Sequence, residues 1–211
     1  YFHLMASYLR FGHEQGVRAL YAEAYPNWGE GPKLYVALRL QWDPQQDVDA
    51  LLEDWYRAAV GSDAAPYLAA YYAHWETFWT QRLSKTAWFG VPGFLRFYHP
   101  GYLDIVEYEE ITRSRELLEL TLENTKTEDQ KARANLLLRA FEYYEASVIS
   151  YLGLVKHKPW PGKPNAFFRD MNRRRKELLD RFQEHPVLRH PIRFDATPYK
   201  GLRWGWEQRQ Q

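Results

Sequence analysis

Two carboxylates and three aromatic side chains fall within one short segment, LYAEAYPNWGEGP, which spans residues 20–32. Hydrolysis of a glycosidic bond uses two carboxyl groups about 5 to 9.5 Å apart, one acting as an acid and the other as a base or nucleophile. Glu23 is the catalytic candidate, and a loop can bring Glu30 within that distance of it. Tyr25 and Trp28 can form a wall on which a sugar ring stacks. All four residues are therefore candidates for substrate binding.

The same residues also have a purely structural interpretation. Glu23 can cap a turn of the backbone or pair with an arginine, and Trp28 can pack beneath the loop. Gly-Glu-Gly-Pro is an ordinary exposed turn, which favours the structural interpretation for Glu30. The partner carboxylate of Glu23 could equally lie in a part of the protein that precedes Tyr1. The residues alone leave both interpretations open.

Other kinds of chemistry find no support in the sequence. The chain has no cysteine, which excludes disulfides, thiolate zinc sites and cysteine nucleophiles. Its 7 histidines lack metal-binding spacing, and we interpret them as structural or exposed. No nucleophile elbow, P-loop or dinucleotide-binding glycine pattern is present. We therefore predict no metal and no cofactor.

Charge and hydropathy limit the classes of partner. Basic and acidic side chains nearly balance, 28 against 27, so we expect no nucleic-acid partner. A basic run at residues 169–181 is interleaved with acidic residues, which is typical of the solvated face of a helix. No stretch reaches the roughly 18 apolar residues of a membrane span, so we expect no membrane partner.

The elements that must position Glu23 follow a helix–strand–loop–helix order. An apolar stripe predicts a helix over residues 2–14, with Gly16 as its stop. The run VRALYA, residues 17–22, favours a β-strand. A loop at 23–31 then leads into a helix at 32–42, which a proline opens. This order is the repeating unit of α/β folds.

The predicted strand has no partner elsewhere in the chain. An unpaired strand leaves its backbone donors and acceptors unsatisfied, which is costly when they are buried. We therefore expect the partner strands of a barrel or a parallel sheet to lie upstream of Tyr1.

From Asp43 onward the pattern is helical. Asp43 or Asp47 can cap a helix that ends at Gly61. Further helices are predicted at residues 63–83, 102–124, 127–154 and 164–184, with an irregular linker at 84–101 and a loop-like tail from Glu184. Five aromatic side chains of the helix at 63–83 share one face, which we expect to be buried against the two helices that follow the linker. They are Tyr67, Tyr71, Trp75, Phe78 and Trp79.

A longer motif carries a family resemblance. The stretch GVRALYAEAYPNWGEGPKLYVALRLQWDPQQDVDALLEDWYRAAVG, residues 16–61, resembles the closing part of an uncharacterised bacterial family of glycoside-hydrolase-like proteins that is similar to α-glucuronidases. In that family a strand ends in a glutamate, and the helix after the next loop ends in L-x-W-D-P-x-x-D-V-D-A-L, followed by Y-x-x-A-V-G-x-x-A-A. The matching residues are Leu40, Trp42, Asp43, Pro44, Asp47, Val48, Asp49, Ala50, Leu51, Tyr56, Ala59, Val60, Gly61, Ala64 and Ala65. The resemblance covers roughly residues 15–80.

The resemblance implies a mainly α fold in this chain. Residues 1–43 would be the end of a (β/α)₈ barrel, one strand with flanking helices, and residues 44–211 an all-α helical C-terminal domain. Glu23 would face the sugar pocket of the barrel. The upstream barrel domain of the same protein would be one partner and carbohydrate the other. The compartment stays open, and an exported bacterial protein outside the cytoplasm is one setting consistent with the sequence.

Two functions of different classes are consistent with these observations. The first is the C-terminal part of a carbohydrate-active, glycoside-hydrolase-like protein that acts on or binds plant or microbial polysaccharide. The alternative is a non-catalytic helical module that binds carbohydrate or protein, or that buttresses a barrel. Such a module would present the aromatic residues of the linker, which are Trp88, Phe89, Phe94, Phe97 and Tyr98.

Overall fold

The computed structural model describes residues 1–21, 29–90 and 100–186. Over these ranges the protein is mainly helical and contains no β-strand. The α-helices are α1 (Phe2–Glu14), α2 (Lys33–Trp42), α3 (Val48–Val60), α4 (Ala65–Thr77), α5 (Tyr108–Glu123), α6 (Glu128–Leu154) and α7 (Asn165–Glu184). A π-helical turn, Phe78–Arg82, and a 3₁₀ turn, Leu83–Lys85, follow α4, and a second 3₁₀ turn spans Pro100–Leu103. No helix in the described ranges combines the length and apolar character needed to cross a membrane.

The stop and start signals in the sequence are confirmed at three helix ends. Gly16 and Gly61 have φ angles of +86° and +87° just beyond α1 and α3, a conformation that glycine adopts without strain. The carboxylate of Asp47 accepts hydrogen bonds from the main-chain N–H groups of Asp49 and Ala50, so Asp47 is the cap of α3.

The strand predicted at residues 17–22 is not confirmed. Residues 17–21 carry neither helix nor strand, and Ala22 lies outside the described residues. The helices predicted on both sides, α1 and α2, are present. A strand needs a neighbouring strand to pair its backbone groups, and none occurs in the part of the chain that the structure describes.

The chain divides into two compact units. The first comprises Tyr1–Arg82 with Ser114–Leu138, and the second comprises Leu83–Arg113 with Arg139–Gln211. Helices α2 and α3, which lie on either side of the predicted domain boundary at residue 43, both belong to the first unit. The boundary itself stays a prediction.

In the first unit, α4 packs on α3, and α1 contacts both α2 and α3. Trp75 and Phe78 are buried as predicted, Tyr67 and Tyr71 are half-buried, and Leu68 and Tyr72 are buried as well. Apolar and aromatic residues cover most of the circumference of α4, so periodicity could not locate the whole buried face. The ring of Tyr72 contacts rings of α1 and α3, and the predicted contacts of the aromatic face with the helices after the linker stay a prediction.

In the second unit, α6 and α7 approach closely at Gly153. A Cβ atom there would lie 2.1 Å from Cδ1 of Phe168, so only glycine fits. Arg175 of α7 is fully buried and donates hydrogen bonds to the Ser147 hydroxyl at 2.9 Å and to the Tyr143 hydroxyl at 3.0 Å. The interpretation of residues 169–181 as a solvated face is therefore wrong at Arg175.

The predicted linker is described only in part. Trp88 packs against Tyr102, with ring centroids 5.3 Å apart, and Phe89 is partly exposed. Phe94, Phe97 and Tyr98 lie outside the described residues. Packing of the linker is thus shown at Trp88 and stays a prediction for the other three rings.

Candidate functional site

Three of the four candidate site residues, Glu23, Tyr25 and Trp28, lie outside the described residues, so their roles stay predictions. The fourth, Glu30, directly precedes α2, and its carboxylate pairs with Nζ of Lys33. The side chain of Glu30 is only 19% exposed, so the expected exposed turn is wrong in that respect. Burial lowers the pKa of Lys33. A carboxylate beside an ammonium is better suited to binding or structural support than to donating a proton.

The C-terminal end of the predicted loop is tied to α4. Gly29 and Gly31 have φ angles of +72° and +66°, which bend the chain sharply before Pro32. The hydroxyl of Tyr72 donates a hydrogen bond to the carbonyl of Gly29 at 3.0 Å. The point at which the loop rejoins the helices is therefore fixed by a residue more than forty positions later in the sequence.

A second candidate site is a cleft of about 530 Å³ between α3 and α4 of the first unit. This volume is typical of small-molecule sites. Three alanines spaced one turn apart on α4 are among its lining residues. The lining residues are His3, Asp49, Leu52, Glu53, Tyr56, Arg57, Ser62, Ala65, Pro66, Ala69, Ala73 and Glu76.

At one end of the cleft, a histidine lies between two carboxylates. Nε2 of His3 lies 3.1 Å from Oδ1 of Asp49, and Nδ1 lies 3.0 Å from Oε2 of Glu76. The main-chain N–H of His3 also donates to Glu76, at 3.0 Å. Both ring nitrogens can donate at once only when the imidazole is protonated. Three helices, α1, α3 and α4, thus meet at this cluster.

The electrostatics of this end are set by Glu76. Burial would raise the pKa of Glu76, but the hydrogen bond from the main-chain N–H of His3 and the positive charge of the His3 imidazole oppose that rise. Burial also raises the pKa of Tyr56, and the negative charges of Glu76 and Asp49 add to that rise. A ligand at this end therefore meets an ionised carboxylate and a protonated phenol.

The cleft can bind a polar ligand by hydrogen bonds, but it does not present a metal site. Among the described residues, no group of three or more histidines and acids is arranged to hold a metal ion. Arg57 pairs with Glu53 across one helical turn, at 3.3 Å, so this part of the rim carries one positive and one negative charge.

No sequence pattern indicated the histidine cluster. His3, Asp49 and Glu76 are far apart in the chain, and no local spacing connects them. The regular spacing of Ala65, Ala69 and Ala73 on α4 was the one available sign of a groove. The motif residue Asp49, which the resemblance includes, contributes to this cluster as well as to α3.

Comparison with known proteins gives one match. A family model described as a domain of unknown function (DUF4838) matches residues 1–73, about a third of the chain. Neither a curated protein nor a solved structure was found to match. The matched region runs from α1 into α4, and it includes the predicted loop site and all but one of the residues that line the cleft.

Proposed function

We propose that this chain is the C-terminal part of a carbohydrate-active, glycoside-hydrolase-like protein. In this proposal residues 1–43 close a (β/α)₈ barrel, and the loop after residue 21 faces a sugar. The observation that carries the proposal is a pair of exposed apolar strips on α1 and α2.

Each strip follows the spacing of one helix face. The strip on α1 consists of Leu4, Tyr8 and Phe11, all more than half exposed. The strip on α2 consists of Leu34, Leu38 and Trp42, and Trp42 is 91% exposed. The opposite sides of these helices are also apolar, with Phe2 and Leu40 buried.

Helices that are apolar on two sides are normally buried on both. Contiguous exposed apolar surface marks an interface. Between the two helices, Val17, Leu20 and Tyr21 are also exposed. A β-sheet packed on these helices would cover such strips and would supply a partner for residues 17–21. This is the arrangement of helices around the strands of an α/β barrel.

The choice of carbohydrate as ligand depends on the loop and on the family resemblance. In α/β barrels the reacting groups lie at the C-terminal ends of strands and in the loops that follow. Glu23 would occupy that position, with Tyr25 and Trp28 as stacking rings. Fold analogy alone is a weak argument for activity, so the proposal depends on a direct test of Glu23.

The test is Glu23→Gln in the protein that includes the proposed upstream barrel. The probes are 4-nitrophenyl glucuronide, a uronic-acid glycoside, and the neutral 4-nitrophenyl glucoside. If Glu23 transfers a proton or attacks the sugar, hydrolysis should fall by roughly 10² to 10⁴-fold. Glu109→Gln, which changes an exposed carboxylate at the start of α5, should leave the rate unchanged. Unaltered hydrolysis and unaltered sugar binding in Glu23→Gln would overturn the proposal.

A second candidate function is non-catalytic ligand binding by the helical part itself, which the cleft between α3 and α4 favours. Its rim offers carboxylates, a guanidinium, an imidazole and hydroxyls, all of which can hydrogen-bond sugar hydroxyls. Ala69→Trp would fill the cleft, whereas Ala70→Trp places the same side chain at an exposed neighbouring position. Titration calorimetry with oligosaccharides should show binding that Ala69→Trp abolishes and Ala70→Trp retains. No heat of binding in the unmodified chain would exclude this function.

A further inference from the structure

The connection between α6 and α7 ends in a proline-rich segment, KPWPGKP, residues 158–164. Proline fixes its own φ angle, so this segment has few conformations open to it. The N–H of Lys163 donates to the carbonyl of Trp160 at 3.0 Å, and Gly162 between them has a φ angle of +76°. With Pro161 as its second residue, this is a type II β-turn, which brings Lys163 back beside Trp160.

Two aromatic rings meet at this turn. The ring of Phe167, in the first turn of α7, lies 5.7 Å from the ring of Trp160, and their planes are inclined by 74°. The buried ring of Tyr108 stacks on Trp160 at 4.3 Å, with the two planes only 8° apart. Trp160 is thus held in place by a ring of the core. We call Trp160 and Phe167 together the aromatic corner.

The ammonium group of Lys163 occupies the aromatic corner. Its Nζ lies 4.8 Å from the centroid of Phe167 and 5.6 Å from that of Trp160, and cations are attracted to ring faces within about 6 Å. Among the described residues no carboxylate pairs with Lys163, whereas the neighbouring Lys158 pairs with Glu107 at 2.5 Å. The two ring faces are therefore the described groups that attract this ammonium.

The side chain of Lys163 is exposed, so its ammonium is an occupant that a ligand can replace. A lysine that leaves the corner regains rotamer freedom and full hydration, and both offset the lost attraction to the rings. A trimethylammonium group carries its charge on methyl groups that can contact both ring faces at once. Aromatic faces are the surface that proteins use to recognise such groups.

We propose that the aromatic corner binds a ligand that carries a trimethylammonium group, which takes the place of the Lys163 side chain. The corner is pre-formed, because a core ring and a proline-rich turn hold it, and a cation already lies in it. All of its residues belong to the second unit, so the proposal is independent of the carbohydrate function proposed above. Free choline and the headgroup of phosphatidylcholine share this chemistry, and the experiments below distinguish them.

The first test is a titration of the chain with choline, followed by the NMR signal of the Trp160 indole N–H. The control ligand is 3,3-dimethylbutan-1-ol, which has the shape of choline without its charge. Choline should shift the Trp160 signal at constant ionic strength, and the alcohol should shift it much less, because the attraction is to a cation. Equal shifts with both ligands, or no shift with choline, would overturn the proposal.

The second test removes the resident cation. Lys163→Gln should tighten the binding of choline about twofold to fivefold, the factor that one exposed cation–π contact supports. Lys176→Gln is the matched control, because it removes the same charge from an exposed position on α7 outside the corner. Equal tightening in both variants would show that net charge, and not competition for the rings, sets the affinity.

The third test removes one ring. Phe167→Leu keeps an apolar side chain in the first turn of α7 and should weaken the binding of choline about twofold to fivefold. Circular dichroism should show the same helix content as in the unmodified chain. Because Lys163→Gln is expected to act in the opposite direction, a general loss of structure cannot produce both results. Unchanged affinity in Phe167→Leu would contradict a site made of these two rings.

The last test identifies the source of the trimethylammonium group. The chain is sedimented with vesicles of phosphatidylcholine and, as the control, with vesicles of phosphatidylglycerol. Sedimentation with phosphatidylcholine alone, reduced in Phe167→Leu, identifies the lipid headgroup as the ligand. Choline binding in solution without sedimentation identifies a free small molecule. A chain that binds neither choline nor phosphatidylcholine would show that the aromatic corner serves only to hold Lys163.

Discussion

At the scale of single residues, Glu76 shows how contacts between helices affect the ionisation of a carboxyl group. Its side chain is 14% exposed, and burial by itself would favour the neutral acid. The main-chain N–H of His3 donates to it at 3.0 Å, and Nδ1 of His3 lies 3.0 Å from its other oxygen, and both contacts act to lower its pKa. These contacts favour the ionised carboxylate, so the stability that they supply is present while Glu76 is ionised and disappears as falling pH protonates it.

We therefore expect Glu76→Gln to reduce the free energy of unfolding at pH 7 by about 1 to 2 kcal/mol, because it removes hydrogen bonds to a charged group. The difference from the unmodified chain should shrink as the pH falls from 5 towards 3. Urea denaturation at several pH values would measure it. Asp54→Asn, which changes an exposed carboxylate on α3, should have less than about 0.5 kcal/mol of effect. A Glu76→Gln effect of equal size at pH 7 and pH 3 would show that ionisation is not its cause.

Single residues also show where sequence interpretation succeeds. The Glu30–Lys33 pair joins residues three apart at the start of a helix, so a local pattern could have indicated it. The contact between Gly31 and Tyr72 joins a loop to a distant helix, and no local pattern predicts it. Glu30 and Gly31 both lie in or beside the predicted site. Of the contact between Gly31 and Tyr72, however, only the conformational freedom of the glycine could be inferred from the sequence.

At the scale of elements, the motif QWDPQQD builds the connection between α2 and α3. The carboxylate of Asp43 accepts from the main-chain N–H of Gln45 at 3.0 Å. Arg10 of α1 donates to the carbonyls of Pro44 and Gln46, at 2.8 and 2.9 Å. These contacts hold the connection between the helices in place, so these motif residues have a structural role in this chain.

The cap of α3 gives an element-scale prediction. Asp47→Ala removes the side-chain acceptor for two N–H groups at the start of the helix. We expect the free energy of unfolding to fall by about 1 kcal/mol, within a range of 0.5 to 2. Asp54→Ala, in the exposed middle of the same helix, should change it by less than about 0.5 kcal/mol. Equal losses in the two variants would mean that helix propensity or net charge, not capping, explains the effect.

Helices and strands differed in how far the sequence could predict them. The helix at 2–14 satisfies its backbone within itself, so stripe and stop signals located its ends closely. A strand at 17–22 would depend on hydrogen bonds to other strands, and local propensity cannot supply them. The buried face of α4 depends on which helices it packs against, and this too is non-local information.

At the scale of the whole molecule, the most informative surface is the one the helices leave uncovered. The apolar stripe that predicted α1 contains two sets of residues: Phe2 is buried, while Leu4, Tyr8 and Phe11 are exposed. The sequence could show that the helix is apolar, but not that the described part of the chain covers only one side of it. That second side is what an upstream barrel would cover.

The last prediction places a charge on that uncovered side. Leu38 is 58% exposed, so Leu38→Glu should change the free energy of unfolding of this chain by less than about 0.5 kcal/mol. Binding of a dye that fluoresces on apolar surfaces should fall, because the strip on α2 is interrupted. In the protein with the upstream barrel, the same substitution buries an unpaired charge and should cost about 1 to 3 kcal/mol or more. Leu40→Ala, at a buried position two residues away, should cost about 2 to 5 kcal/mol in both proteins. If Leu38→Glu changes the free energy of unfolding equally little in both proteins, no barrel covers this face. The exposed apolar strips would then no longer support the proposed function.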